Sequence, residues 1–599
     1  MFSLIPIKLI FLTITIYIWR ELFKRGSALN QPRISRYMLG FAILSILLSV
    51  ISIGKIYPYG AVVDLLIFAI ATTLCMTLTT RTLVGKLLQF LFIAIPVLGP
   101  LAYLLHYQVV GGAMNKDSFI AVFQTTSSEA KEYLASFTSV VSLAVLILTV
   151  GLLFWILKQN NKNIVKPLPI KTASTYILIA VAMVCLAPLE RGLFTYPIDV
   201  YISYQKEMAT TKERMALFSQ RKVEKNYQAS KSESGEVYVV IVGESLNKHH
   251  MSIYGYELNT TPELQKLKDE GDLYVVENSF SNYPGTMSAL SHALTGANQK
   301  NNKSYTDAVG IVELLNNANF ETHWLGNQPL SNSYDMILGL IAKEAHDVQL
   351  TFDIKFHSMS HKDHEPDGVL LPIYERALNE LNRNKNQIIF VHLMGNHTDY
   401  CERYTPDFHH YEIDELDALY SYIFKGGVGH SKECYDNSIL YNDFIVSSLI
   451  KGLKDTLGEQ GVGGLLYFAD HSEDIKRGVG HSSANFSFDM VESPTLIWLS
   501  DSYKANNIDK TTALKDNINS FYPNDFIFDT VIGMTSTEVS GDTYCSSCDL
   551  FSNQYTLPLE EARTMHGKLA YKPVQNFTSK TASTIDKETI KKATILFPN

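Results

Sequence analysis

The chain has 599 residues, with 60 acidic and 51 basic side chains and a formal net charge of −9. This length allows several domains, and the excess of acidic side chains argues against nucleic acid as a partner. The mean hydropathy is near zero, but the average hides a division. The first third of the sequence is strongly apolar, and the remainder resembles an ordinary globular protein.

Apolar segments dominate the first third of the sequence. They cover residues 4–19, 38–56, 61–79, 83–105, 140–157 and 176–188. Most approach the ~20 residues that a helix needs to span a bilayer. A cleaved signal peptide is an alternative for the first segment, but that segment lacks a small-residue cleavage site and continues into RELFKRG. We therefore predict a transmembrane domain of about six helices over residues 1–190.

The basic residues indicate how these segments are oriented. Lysine and arginine concentrate in the loops after the first, third and fifth segments, and such loops usually face the cytoplasm. The loops 54–60 and 106–137 then face the opposite side, as does everything after residue 188. The second of these loops is either a cover for part of the exported domain or a spacer between two spans.

Four of the six cysteines lie in this exported part, where they can be oxidised. They are Cys401, Cys434, Cys545 and Cys548. The closely spaced Cys545 and Cys548 are typical of a small disulfide loop, with half of a zinc site as the alternative. We favour the disulfide loop because the sequence contains no second CxxC pair.

Residues 191–234 form a predicted connector between two domains. Their first part mixes tyrosines and leucines with many charges, which suits either an amphipathic helix at the membrane surface or a solvated linker. The run ASKSESG then breaks any regular structure before the next domain.

Strand and helix patterns alternate over residues 235–557. The strand candidates are EVYVVIVGESLN, YVVENSF, ETHWLG, QIIFVHLMGNH, GLLYFADHSED and SPTLIWLS. The helix candidates include TPELQKLKDEG, DAVGIVELLNNA, LPIYERALNELNRN and NSILYNDFIVSSLIKGLKDTLG. This alternation predicts an α/β domain with a central mixed sheet and helices on both faces. Residues 558–599 are polar and weakly patterned, and we expect a tail that is surface-bound or loose.

Polar side chains collect where the predicted strands end. Glu244 follows one strand, His397 follows another, Asp470 and His471 follow a third, and His481 comes shortly after. Each alone is more often a helix cap or a satisfied histidine than a ligand. Ligands in such sheets bind beyond the carboxyl ends of the strands, and carboxylate and imidazole groups suit Zn²⁺. Their coincidence at three strand ends predicts a metal site.

A hydroxyl nucleophile is the partner that such a site needs. In SNYPGTMSALSHALTG, Thr286 precedes a predicted helix, and the free N–H groups of a helix N-terminus can hold a phosphate. A bound divalent ion would lower the pKa of the hydroxyl. Thr286 can also be an ordinary N-cap, and both roles can hold together.

These motifs resemble the sulfatase and alkaline-phosphatase superfamily, and within it the membrane-anchored phosphoethanolamine transferases of the bacterial envelope. The resembling segments are VVIVGES, MSIYGYELNTTPEL, PGTMSALSHALTG, WLGNQ, FVHLMGNH, YDNSILYND, YFADHSED and GHSS. The multi-span front end and SFIAVFQTTSSEAKEYL in the loop 106–137 are similar to this group as well.

The resemblance implies a role for each candidate residue. The ligands that it implies for a catalytic zinc ion are Glu244, Thr286, Asp470 and His471. The residues that it implies to bind substrate are Asn327, His397, Glu473 and His481. Thr286 would be the nucleophile, and His397 and His481 would contact the phosphoryl group, protonate the leaving group or help to hold a second zinc ion.

This sequence departs from the family pattern at the nucleophile. The flanking cysteines of the family are missing, and GTMSALS permits either Thr286 or Ser288 in that position. Counting back from LTG selects Thr286. The segment NHTDY also departs from the usual HGP pattern, which affects the expected acceptor rather than the chemistry.

The implied reaction transfers phosphoethanolamine from phosphatidylethanolamine to lipid A or the lipopolysaccharide core, through a covalent threonine intermediate and with one or two zinc ions. It implies a multi-pass protein of the bacterial inner membrane with its catalytic domain in the periplasm. The alternatives are a transferase of phosphoglycerol or one acting on glucans, a phosphodiesterase or sulfatase, and a non-catalytic protein that binds lipid head groups. The last would be expected to lose ligand residues, yet all four are present.

Overall fold

The computed structural model describes residues 227–328, 336–351, 365–424, 431–481 and 483–574, with scattered positions between 139 and 216. The predicted apolar segments lie outside these residues, apart from a few positions of 140–157. Residues 201–206 of the predicted connector are helical. Within the described positions, no helix combines the length and the hydropathy needed to cross a bilayer.

A mixed β-sheet forms the centre of the described domain. Its seven strands have the order β3-β9-β8-β2-β7-β5-β6. Strand β9 runs antiparallel to both of its neighbours, and the other pairings are parallel. The carboxyl ends of β8, β2 and β7, which are adjacent, therefore meet at one edge of the sheet. We call this edge the active-site end.

The secondary-structure elements follow the predicted alternation. The strands are β1 (Ala229–Ser230), β2 (Val237–Gly243), β3 (Leu273–Val275), β4 (Asn278–Phe280), β5 (Glu321–Gly326), β6 (Asp347–Leu350), β7 (Gln387–His392), β8 (Gly463–Ala469), β9 (Thr495–Leu499), β10 (Phe521–Pro523), β11 (Glu538–Val539), β12 (Arg563–Thr564) and β13 (Leu569–Ala570). The helices after residue 227 are α1 (Pro262–Asp269), α2 (Thr286–Ala293), α3 (Ile311–Asn317), α4 (Met336–Lys343), α5 (Leu371–Asn379), α6 (Glu415–Phe424), α7 (Lys432–Leu457), α8 (Asp501–Asn506), α9 (Ile508–Asn517) and α10 (Ile527–Met534).

The central strand β2 is buried on both faces. Tyr238 and Val240 pack in one hydrophobic core with α3 and α10, whereas Val239 and Ile241 pack in a second core with α5 and α7. Alternate side chains of a strand point to opposite faces, so a strand covered by helices on both faces is apolar at nearly every position. Full burial of one such side chain stabilises the fold by roughly 1.5–3 kcal/mol. The prediction of a mixed sheet with helices on both faces is confirmed for this domain.

Two disulfide bonds join the four cysteines of this domain. They link Cys401 to Cys434 and Cys545 to Cys548. The second bond confirms the interpretation of CSSC as a small disulfide loop, and its thiols are therefore not available as half of a zinc site. The first bond closes a long loop that begins near the end of β7 and ends in the first turn of α7.

Part of the expected tail belongs to the packed domain. Ala562 and Thr564 are fully buried, and the ring of Tyr571 stacks on Phe280 with centroids 3.8 Å apart. The Tyr571 hydroxyl donates to Glu492 at 2.5 Å. Of the two alternatives for the tail, a loose segment is wrong for residues 558–574. Residues 575–599 lie outside the described residues.

Candidate active site and metal centre

The four predicted zinc ligands converge at the active-site end of the sheet. Glu244 directly follows β2, Asp470 and His471 directly follow the neighbouring β8, and Thr286 is the first residue of α2. The carboxylate oxygens of Glu244 and Asp470 and a ring nitrogen of His471 lie within 4.8 Å of one another. Residues from distant parts of the chain thus meet because adjacent parallel strands end at the same edge.

The Thr286 hydroxyl lies beside Glu244 and His471 of this cluster. Its Oγ1 is 3.4 Å from both carboxylate oxygens of Glu244 and 3.2 Å from Nε2 of His471. The same Nε2 is 3.3 Å from Oε1 of Glu244 and 3.3 Å from Oδ2 of Asp470. Carboxylate, hydroxyl and imidazole groups gathered this closely form a donor set that suits a divalent cation.

Backbone contacts orient the ligand atoms of Asp470 and His471. Oδ1 of Asp470 accepts from the backbone N–H groups of Ser245 at 3.0 Å and His471 at 2.7 Å. Oδ2 of Asp470 is buried and has no hydrogen-bond partner within the described residues. Nδ1 of His471 lies 3.1 Å from the Ser472 carbonyl. A carbonyl can only accept a hydrogen bond, so in neutral His471 the proton is on Nδ1 and the lone pair is on Nε2. A buried carboxylate oxygen that accepts no hydrogen bond within the described residues and an imidazole nitrogen 3.3 Å away fit a zinc ion.

The electrostatics of the cluster also favour a cation. Burial and the neighbouring charge of Glu244 raise the pKa of Asp470 to about 8. Burial opposes the charged form of His471, but Asp470 and Glu244 raise its pKa to about 10. For Glu244, burial is outweighed by the hydrogen bond and charge of His471, and the pKa falls well below its ordinary value. Ionised Glu244 thus favours a positive charge in this buried cluster, and a metal ion would supply that charge.

A second group of side chains lies beside the four ligands. Nδ1 of His481 is 2.7 Å from Oε1 of Glu473, and the rings of His481 and His471 are 4.3 Å apart. Burial raises the pKa of Glu473, but the adjacent His481 lowers it below its ordinary value. The charge of His397 lowers the pKa values of both Glu473 and Glu244. The structure therefore brings these three predicted substrate-binding residues to the site.

Asn327, which was predicted to line the pocket, forms its hydrogen bonds with a neighbouring loop instead. Its amide donates to the Glu365 carbonyl and to Asp367, and its carbonyl oxygen accepts from Thr351. These hydrogen bonds engage both the amide nitrogen and the carbonyl oxygen of the side chain, and they support the neighbouring loop. The next residue, Gln328, points towards the ligands instead, with Nε2 3.4 Å from Oε2 of Glu244. Of the two amides in WLGNQ, Gln328 rather than Asn327 is thus the one within 3.4 Å of Glu244.

The structure also distinguishes the two candidate nucleophiles. The N-cap of α2 is Gly285, and Thr286 is the first helical residue, so the alternative that Thr286 serves as the N-cap is wrong. Ser288 is exposed, and its carbonyl accepts from Nδ1 of His292. The hydroxyl that lies among the predicted metal ligands is therefore that of Thr286.

Several supporting residues could not be recognised in the sequence. The Asp470 carbonyl accepts from Ser281 at 2.5 Å and from Asn524 at 2.7 Å. The Tyr435 hydroxyl donates to the Ser245 carbonyl at 2.7 Å. These contacts fix the backbone on either side of the ligands. Two quoted motifs contain such residues, since SNYPGTMSALSHALTG begins with Ser281 and YDNSILYND begins with Tyr435, but neither motif indicated these contacts.

Comparison with known proteins identifies the class. The family model described as Sulfatase matches residues 236–537, about half of the chain. The chain belongs to the sulfatase family.

Similar proteins with known names indicate a subgroup of this family. Phosphoethanolamine transferase EptC of Escherichia coli K12 is 26% identical over 438 residues, covering 68% of this chain and 73% of that protein. Phosphoethanolamine transferase OpgE of the same strain is 26% identical over 470 residues, covering 76% and 80%. The integral membrane lipooligosaccharide phosphoethanolamine transferase EptA of Neisseria meningitidis has the same fold, with a TM-score of 0.55, 18% identity and coverage of 82% and 90%. The predicted resemblance is confirmed, and with it the prediction of an enzyme.

Proposed function

We propose that the chain is a zinc-dependent transferase that moves phosphoethanolamine from phosphatidylethanolamine to lipid A or the lipopolysaccharide core. The observation that carries the proposal is the position of the Thr286 hydroxyl, 3.2 Å from His471 and 3.4 Å from Glu244, with Oδ2 of Asp470 3.3 Å from the same His471 nitrogen. The names of the EptC and OpgE relatives support the transferred group.

Glu244, Thr286, Asp470 and His471 would hold the zinc ion. The bound ion would lower the pKa of the Thr286 hydroxyl and offset negative charge on the phosphoryl group. We propose separately that a second ion would be held at Glu473 and His481, whose ligand atoms lie within 4.8 Å of one another and of His471.

In the first step, Oγ1 of Thr286 forms a bond to the phosphorus of phosphatidylethanolamine, and the bond to the diacylglycerol oxygen breaks. The hydroxyl proton of Thr286 is lost, and diacylglycerol leaves with one proton on its oxygen. The backbone N–H groups in the first turn of α2 lack helical partners, so they can hold the phosphoryl oxygens in place. Catalysis at this step is mainly positioning and stabilisation of charge.

In the second step, an acceptor oxygen attacks the phosphorus of the threonine intermediate. The acceptor loses its proton, and Thr286 is released as the free hydroxyl. His397 and His481 are the candidates for carrying protons between the leaving and attacking oxygens. Glu473 keeps Nδ1 of His481 engaged at 2.7 Å, which fixes the orientation of that ring and leaves Nε2 for proton transfer.

We place the enzyme in the bacterial inner membrane with its catalytic domain in the periplasm. The two disulfide bonds support an oxidising compartment. The proposed organisation is a transmembrane domain at residues 1–190, an interfacial connector at 191–234, the catalytic domain at 235–557 and a C-terminal tail at 558–599, the beginning of which packs on the catalytic domain.

Mass spectrometry of envelope glycolipids, from bacteria with and without the protein, tests the proposal. An added phosphoethanolamine group identifies the acceptor sugar, whereas release of free phosphoethanolamine without a modified glycolipid would instead indicate a phosphodiesterase. Thr286→Ala should abolish transfer, with a loss of at least about 10³-fold. Ser288→Ala is the matched control and should retain activity. Full activity in the threonine variant would contradict the proposed nucleophile.

A further inference from the structure

Three large apolar side chains of helix α6 are exposed, among those of this helix whose burial the structure describes. Leu416, Leu419 and Tyr422 are 75%, 55% and 57% exposed, whereas Ser421 is buried and Ala418 is half-buried. The three large side chains are spaced three residues apart, so they share one side of the helix. A helix on the surface of a soluble domain normally shows the reverse arrangement. The exposed side of α6, defined by these three residues, we call the α6 face.

The chain around α6 is attached at the active-site end of the sheet. Just before the helix, the backbone N–H of Tyr411 donates to the Asn437 side chain, and the Asn437 amide returns a hydrogen bond to the Tyr411 carbonyl, both at 2.9 Å. The neighbouring Ser438 accepts from Asn396 at 2.6 Å. Asn396 directly precedes His397, so the anchor of this segment adjoins the rim of the site.

The remainder of the chain can place this end against a membrane. The chain enters the sheet at the start of β2, opposite the active-site end. The 38 residues 189–226 separate this entry from the last predicted apolar segment. As a helix they would extend roughly 57 Å, slightly more than the approximate 50 Å diameter expected for a domain of this size. The connector is therefore long enough for the active-site end to face the bilayer while β2 starts on the far side.

We propose that the α6 face contacts the lipid bilayer and holds the active-site end at the surface from which the lipid donor is taken. This inference rests on the proposed function for the identity of the lipid. Leucine side chains suit the boundary between head groups and acyl chains, and tyrosine is enriched at that boundary. A second copy of the chain is the competing occupant, and the experiments below separate the two.

Fluorescence quenching tests the contact without relying on activity. The full chain, with Cys75→Ser and Cys185→Ser, is reconstituted in vesicles of phosphatidylethanolamine with a minority of phosphatidylglycerol. A polarity-sensitive dye is attached through Leu419→Cys. The matched control is Ile508→Cys, because Ile508 is 67% exposed and begins α9 after β9 has run away from the active-site end. Brominated lipids should quench the dye at position 419 but not at 508. Equal quenching, or quenching only by a second labelled copy, would overturn the proposal.

An activity comparison tests the purpose of the contact. The triple variant Leu416→Glu, Leu419→Glu and Tyr422→Glu should lose about tenfold in transfer from bilayer phosphatidylethanolamine, equivalent to roughly 1.4 kcal/mol of lost contact. Turnover of a water-soluble short-chain phosphatidylethanolamine should not change. Ile508→Glu should affect neither substrate.

The outcomes separate the two proposals. A loss on both substrates would show that α6 supports the fold of the site, and the inference would fail. If the wild type transfers from neither lipid, the proposed function fails, and the quenching experiment still decides whether the α6 face meets the bilayer.

Discussion

Replacing Gly395 by alanine tests whether the position of Glu244 controls the site. Gly395 has a φ of +52°, and a Cβ atom added there would lie 2.8 Å from the backbone oxygen and 2.9 Å from the backbone nitrogen of Glu244. Ordinary contacts begin at 3.4 Å, so the two backbones must separate by roughly half an ångström. Catalytic groups need to stay within about 0.5 Å of their productive positions. The substitution therefore moves Glu244 to the limit of what the site tolerates.

We expect zinc affinity to fall about 10- to 100-fold, as when the support of a metal ligand is disturbed, and turnover to fall by up to about 100-fold. Part of any loss of stability comes from the left-handed backbone, which costs a residue with a Cβ atom about 1–2 kcal/mol. Gly255→Ala is the matched control. Gly255 is also left-handed, with a φ of +93°, but its added Cβ meets no heavy atom within 4 Å.

The assays are zinc titration against a competing chelator, phosphoethanolamine transfer, and thermal unfolding. The Gly255 variant should lose stability but keep its zinc affinity. Unchanged zinc affinity in Gly395→Ala would refute the reasoning. Equal losses of zinc affinity in the two variants would assign the effect to backbone strain rather than to the displacement of Glu244.

Three further predictions concern stability. Tyr571→Phe removes the hydroxyl donor to Glu492 and should destabilise the domain by about 1–3 kcal/mol; an unchanged urea midpoint would argue against this hydrogen bond. Burial raises the pKa of Glu492, but Lys248 and its other partners lower it to about 2 from an ordinary 4.5. Ionised Glu492 therefore stabilises the fold by roughly 3 kcal/mol above pH 4.5, and this contribution is lost as the pH falls towards 2. Glu492→Gln should remove the pH dependence of the urea-unfolding midpoint in this range. The double variant Cys401→Ser, Cys434→Ser opens a disulfide of sequence separation 33. It should lower the free energy of unfolding by about 3–4 kcal/mol, and an unchanged Tm under oxidising conditions would contradict this.

The elements that were predictable are those whose own residues determine them. The apolar runs of β2 and β8 are fully buried. A strand that is buried on both faces has apolar residues at consecutive positions, which the sequence shows directly. The positions of Glu244 and Asp470 were predictable for the same reason, since both residues directly follow these runs. By contrast, β6 is a four-residue edge strand, DVQL, with one buried residue. So short and polar a segment acquires its strand conformation from pairing with β5 rather than from its composition.

Contacts between distant residues were beyond prediction. Asn327 and Gln328 are adjacent amides, and which of them faces Glu244 depends on the loop that holds Asp367. Tyr571 lies in a polar segment whose burial depends on Phe280. No local pattern records such partners, because periodicity reports the face of an element and not what covers that face.

The packing of the C-terminal segment has a consequence for how the protein is made. Glu492 pairs with Lys248, four residues beyond Glu244, at 2.9 Å, and it also accepts from Tyr571 and from the backbone of Val574. Translation produces Glu244 more than 300 residues before Tyr571. The proposed ligand Glu244 is therefore synthesised long before Tyr571 and Val574, whose contacts with Glu492 support the segment that follows it. A chain truncated before residue 571 would lack these contacts.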